Sequence, residues 1–190
     1  MKLLNMIIEQ KLLEISIQSL KISIEELKNI KRETSIINLK DLLLNNECQI
    51  IAEINQKIEL DFIKTIKELE KNNVSTFSIL TDKEFFNGSL QFLNKIKKNI
   101  KKPIIQKDFI ISEYQIYQSY INGSDAIILI AEMLDIFQLQ DLYSLGKKLG
   151  LEVIIEFHNV SSINKINKIN PDIVLASSRN LDTMQVDINK

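Results

Sequence analysis

The residues of this chain that could do chemistry fall at the ends of short apolar runs. QIIAEI (49–54) carries Glu53, and TFSILT (76–81) leads into Asp82. PIIQK (103–107) ends on Lys107, with Asp108 next, and AIILIA (126–131) is followed by Glu132. EVIIEF (152–157) holds Glu156, with His158 just beyond, and DIVLA (172–176) is followed by Ser177, Ser178 and Arg179. A lysine among carboxylates can act as a general acid, form a Schiff base or anchor an anion. Lys107 ends a strand-like run, where a solvated lysine would be expected on the following helix. The other reading is a plain ion pair with Asp108 or Glu53. Glu156 ends an otherwise apolar run, and a carboxylate buried there needs a partner or serves as a base. Glu53 is either a second such group or the counter-ion of Lys107. His158 reads as a polar loop residue. Arg179 is one of two arginines in a chain that otherwise uses lysine, which suits planar contact with a carboxylate or is simply a chance survivor.

Composition closes other routes. The single Cys48 and single His158 cannot build a Cys/His zinc cage or an internal disulfide, and a reducing, cytoplasmic setting is expected. The four glycines, Gly88, Gly123, Gly146 and Gly150, make neither GxGxxG nor GxxxxGK[ST]. A net charge of -1 gives no field to hold nucleic acid or an anionic membrane, and no apolar run approaches a membrane span. Any anion must be bound locally.

These residues need elements to hold them. The runs are apolar on both faces, as strands covered by helices are. Between them, 61–72, 89–99, 112–123 and 137–150 have helical periodicity, with Ser112, Gly123 and Gly150 as start and stop signals. Residues 1–48 read as a helical extension, with Ser23 as an N-cap, and 49–190 as one βα-repeating domain. Tyr114, Tyr117 and Tyr120 read as packing, and Lys97-Lys98 and Lys101-Lys102 as solvated. Polar groups after six successive runs suit a (βα)8 barrel, where all strand ends meet at one mouth, better than an open sheet. Only six units are visible, so an incomplete α/β barrel of the (βα)8 type is expected.

The stretches FSILTDKEFFNGSLQFL (77–93) and PIIQKDFIISEYQIYQSYINGSDAIILI (103–130) carry L-T-D…F-x-G-S and K-D-F-I-I-x-x-Y-Q-I-Y. With LGLEVIIEFHN (149–159) and SRNLDTMQVD (178–187), they resemble indole-3-glycerol phosphate synthase, a tryptophan-pathway (βα)8 enzyme. The resemblance implies a cytoplasmic lyase that closes the indole ring on 1-(2-carboxyphenylamino)-1-deoxyribulose 5-phosphate, releasing carbon dioxide and water, without cofactor or metal. It places the general-acid lysine on Lys107, a proton-transfer glutamate on Glu156 and an orienting glutamate on Glu53. Phe109 would wall the aromatic ring, and Arg179 would face the anthranilate carboxylate. Ser177 stands where the family has asparagine.

Departures from the family pattern point to a second reading. The family's K-x-x-S-P-S-x-G after strand one is replaced by Asn55-Gln56-Lys57-Ile58, and the chain stops at Lys190 before a seventh or eighth strand. Most phosphate contacts would be missing, so weak turnover by the chain alone is expected. The alternative is an impaired relic, or one piece of a barrel that pairs its open edge with a homo-oligomeric copy or a complementing fragment.

Overall fold

The computed structural model describes residues 2–44, 48–55, 62–181, 183, 185 and 186. Helices α1 (Lys2–Ser19), α2 (Ile24–Asn29) and α3 (Leu39–Leu43) come first. Then follow β1 (Ile50–Ile54), α4 (Phe62–Lys71), β2 (Val74–Leu80), α5 (Lys83–Phe86), α6 (Leu90–Lys97), β3 (Ile104–Lys107), α7 (Glu113–Asn122) and β4 (Ala126–Ile130). The order closes with α8 (Ile136–Lys148), β5 (Glu152–Phe157), α9 (Ile163–Ile169) and β6 (Ile173–Ala176).

Local chemistry sets the boundaries. Ser23 and Asp135 each form a capping box with the residue three positions on, Glu26 and Gln138, starting α2 and α8. Ser112 accepts from the Tyr114 N–H to start α7, and Gly123 ends it at φ 97°. Helix α9 went unread in the sequence, because its INKINKI repeat is built from β-branched and Asn residues that favour helices weakly. Helix α5 is a single turn capped by Asp82. The chain then folds back so tightly that a Cβ on Gly88 would lie 2.2 Å from the Leu80 carbonyl oxygen. That contact explains the glycine of the F-x-G-S signature.

The strands form one parallel sheet in the order β1-β2-β3-β4-β5-β6, the sequential order of a curled, incomplete (βα) barrel. Strand β4 is buried along its whole length, and β2, β3 and β5 nearly so. Strands β1 and β6 differ from the expected covered strand: Ile50, Ile51 and Val174 are exposed. Each lies at one end of the sheet and pairs with one neighbour among the described strands. The main core joins β4, β5, α7 and α8, and Leu4 and Ile7 of α1 and Leu39 of α3 enter it. A second cluster joins Ile66, Phe77, Ile79, Leu93 and Ile96 under α4 and α6. Each fully buried isoleucine or leucine contributes about 1.5–3 kcal/mol by leaving water.

The segment after α2 is fastened by charge. Arg32 donates to Asp125 Oδ1 at 3.1 Å and to the carbonyls of Thr34, Tyr120, Gly123 and Ser124. Lys97, read as solvated from the sequence, is instead buried, with Nζ 2.6 Å from Asp125 Oδ2. Its place on the inner face of α6 points it at the carboxylate that Arg32 also holds. Lys98 does reach solvent, paired with Glu33. Tyr114 packs inside with its hydroxyl donating to the Ile22 carbonyl, while Tyr117 and Tyr120 carry Lys28 and Arg32 over their rings.

Candidate active site

All six strands deliver residues from their C-terminal ends to one small cleft of about 80 Å³. Glu53, Leu80, Lys107, Ile130, Glu156 and Ser177 line it, with Phe109, His158 and Arg179 from the loops beyond. The six residues named from the sequence, Lys107, Glu156, Glu53, Phe109, Arg179 and Ser177, therefore converge. Lys107 Nζ donates to Glu53 Oε2 at 2.6 Å. The pair is open to water, with side chains 36% and 50% exposed, so it contributes little to stability, about 0–1 kcal/mol. Of the two partners considered for Lys107, Glu53 is the one it meets. Strand alternation turns Asp108 the other way, where it accepts from Thr81 Oγ1 at 2.6 Å and from the Phe109 N–H.

Phe109 is buried, stacked on Phe86 at 5.9 Å between ring centroids and edge-on to Phe85 at 5.8 Å. This makes a rigid apolar wall beside the charged groups. Ser177 and Arg179 follow β6. The Ser177 N–H donates to the Phe157 carbonyl, and the Arg179 N–H reaches Ser177 Oγ. Asn55 directly follows β1, whereas Gln56, Lys57 and Ile58, where the sequence departs from the family's serine loop, lie outside the described residues.

Glu156 is buried, and so is His158, where the sequence predicts a polar loop residue. The ring Nδ1 lies 2.7 Å from the Arg179 carbonyl oxygen, which can only accept, so Nδ1 carries the proton. Nε2 faces Glu156 Oε1 at 3.1 Å. Glu132 Oε1 holds the same turn by accepting from the His158 and Asn159 N–H groups and Ser162 Oγ. Burial opposes charging of the imidazole, but Glu156, the Arg179 carbonyl and Glu132 outweigh it and hold its pKa above the ordinary 6.5. The folded state thus binds this proton more tightly than the unfolded chain does. The stabilisation is complete below about pH 6.5 and is lost as pH rises through the folded value. Urea midpoints measured from about pH 6 to 8 should fall with rising pH in the wild type. His158→Gln should remove that component of the slope.

Sequence reasoning missed Lys11. It occupies the buried stripe of α1 with Leu4 and Ile7, and its Nζ lies 2.7 Å from Asp82 Oδ2, 2.8 Å from Asp108 Oδ1 and 3.0 Å from Glu14 Oε2. A lysine at core spacing on an otherwise apolar helix face was the available signal.

Residues 4–190 match the family model described as indole-3-glycerol phosphate synthase. Similar curated proteins carry that same name. One from Thermoanaerobacter sp. (strain X514) is 38% identical over 183 residues, covering 87% of this chain and 70% of that protein. One from Clostridium kluyveri is 35% identical, covering 95% and 72%, and one from Streptococcus thermophilus is 33% identical, covering 96% and 73%. The chain belongs to the indole-3-glycerol phosphate synthase family. The (βα) architecture and the meeting of six strand ends agree with a barrel lyase of tryptophan biosynthesis. Among the described residues, no helix is long and apolar enough to cross a membrane.

Proposed function

We propose that this chain catalyses the family's ring closure on 1-(2-carboxyphenylamino)-1-deoxyribulose 5-phosphate, with neither cofactor nor metal. The observation that carries this reading is the Lys107–Glu53 contact at 2.6 Å, set beside buried Glu156 in one cleft against the Phe109 wall. So exposed an ion pair adds little stability, which leaves positioning of the ammonium as its use. Protonated Lys107 donates to the substrate's keto oxygen while the carboxylate-bearing ring carbon bonds to the keto carbon. The carboxylate leaves as carbon dioxide, and its bonding electrons return to the ring. Glu156 then takes a proton from the carbon beside the ring nitrogen and delivers it to the departing hydroxyl, which leaves as water, while Lys107 regains its proton from solvent. Glu53 orients Lys107, Arg179 and Ser177 hold the carboxylate end, and Phe109 flanks the ring. Residues 1–48 serve as a helical extension seated on the domain of 49–190.

The open edges favour one addition to this reading. Strands β1 and β6 carry exposed Ile50, Ile51 and Val174, and such edges are stabilised by pairing. In this reading the sheet associates with a second copy or a complementing chain, and sedimentation gives a mass above the 22.0 kDa monomer. Catalysis is tested by incubating purified chain with the substrate and following indole fluorescence. Slow product formation proportional to chain concentration is expected. Its absence at every concentration, with and without a complementing C-terminal fragment of a relative, would overturn the assignment.

A further inference from the structure

The N-terminal helix puts a buried cation against the segment that carries Lys107. Lys11 is 2% exposed, and its partners Asp82 and Asp108 are 0% and 9% exposed. Burial works against its charge, but the two carboxylates outweigh that cost and hold its pKa above the ordinary lysine value. Both carboxylates sit where a strand ends. Asp82 follows β2 and caps α5 through the Phe85 N–H at 2.6 Å. Asp108 directly follows Lys107. Its Oδ1 takes the Phe109 N–H and Lys11, and its Oδ2 takes Thr81 Oγ1. Lys11 is thus the cation among these donors to Asp108, the other two being the Thr81 hydroxyl and the Phe109 N–H.

We propose that Lys11 is a positioning residue for Lys107, compensating Asp108 and Asp82 from outside the sheet so that the Lys107 ammonium is left to Glu53 and the cleft. Without that cation, two carboxylates with little access to water would lose their buried counter-charge, and Lys107, next to Asp108 in the chain as Lys83 is next to Asp82, would be drawn towards them. The segment would then turn towards α1, withdrawing Lys107 from the mouth and Phe109 from its stack on Phe86. The groups facing Lys107 set the charge balance that this acts on. They are Glu53 from β1, Glu156 from β5, His158 just beyond β5 and Arg179 beyond β6, and Asp108, next in the chain, also borders the cleft. In this arrangement α1 is part of the active site's electrostatics without touching the cleft. The inference rests on the proposed role of Lys107 for its kinetic consequence, but not for the placement of the ammonium.

The test reads both levels separately. The titration of Lys107 is followed by competitive acetylation and mass spectrometry in chains shown to be folded by circular dichroism, which needs no turnover. Lys11→Met should raise the Lys107 midpoint by half a pH unit or more, since a carboxylate has replaced a compensated pair in its surroundings. Lys11→Arg should leave it near the wild-type value. Asp108→Asn, made with Lys11 intact, should lower it, and this variant serves if Lys11→Met does not fold. Where the wild type turns over substrate, Lys11→Met should lower kcat at least tenfold with KM within about threefold, and Lys11→Arg should restore most of it. Unchanged Lys107 midpoints in the folded variants would overturn the proposal. Shifted midpoints in a chain without turnover would leave the positioning role standing and remove only the catalytic reading.

Discussion

Lys107→Ala should lower turnover of the family substrate by about 10²–10⁴-fold, the range for loss of a positioned general acid, while leaving the unfolding midpoint almost unchanged. The two halves of this expectation come from the same geometry. Lys107 and Glu53 are 2.6 Å apart but half open to solvent, so breaking the pair removes a contact that water largely replaces. No cavity forms, because the lysine chain lies at the rim of the cleft. The chemical loss has no such substitute, since no other lysine lines that cleft among the described residues. Lys107→Arg separates charge from proton donation. It restores a cation for Glu53, but a guanidinium holds its proton too firmly to act as an acid near neutrality. Activity that stayed near the wild-type rate in the alanine variant would remove Lys107 from the mechanism.

Asp125→Ala should destabilise the protein by about 3–5 kcal/mol, because it strands buried cations. Asp125 is fully buried and takes five hydrogen bonds from four groups: Arg32, Lys97 on both oxygens, and the N–H groups of Ile37 and Ile104. Burial already pushes both Lys97 and Arg32 below their ordinary pKa values despite the carboxylate beside them. With the carboxylate gone, Lys97 must shed its proton or drag water into the junction between α6 and β4. Arg32 keeps its carbonyl acceptors but no counter-charge. Against a typical total of about 5–15 kcal/mol, such a loss removes a large share of the stability. Urea unfolding measures it. Adding Lys97→Met to the alanine variant should recover part of the deficit, because the second change removes the stranded charge.

The strands were legible because fully buried parallel strands leave an unmistakable mark, a short β-branched run such as AIILI or EVIIEF between polar residues. The mouth was legible for a related reason. In a parallel barrel every strand exits on the same side, so the residue after each run points to the same region, and Glu53, Lys107 and Glu156 were found by position alone. What escaped notice was polar chemistry in apolar settings. Lys97 sits in a lysine-rich stretch that looks solvated, and nothing local to it reveals Asp125 in a later loop. Lys11 follows the same logic, since Asp82 and Asp108 lie just after β2 and β3. His158 looked like a loop residue because the sequence does not show that the turn after β5 folds inward under Glu132 and the Arg179 carbonyl. Helix α9 was missed for a different reason: packing, not propensity, makes it helical.

Strand order also bears on the sequence of events in folding. Every strand pairs with its neighbour in the chain, so each βα unit can add to the one before it as the polypeptide is synthesised. Helix α1 cannot follow that order. It is synthesised ahead of the sheet, yet Lys11 has no place to be buried until Asp82 and Asp108 have been made and β2 and β3 have paired. A helix made ahead of the sheet is thus bound to dock after β2 and β3 have paired, and its docking brings the Lys11 cation to Asp82 and Asp108.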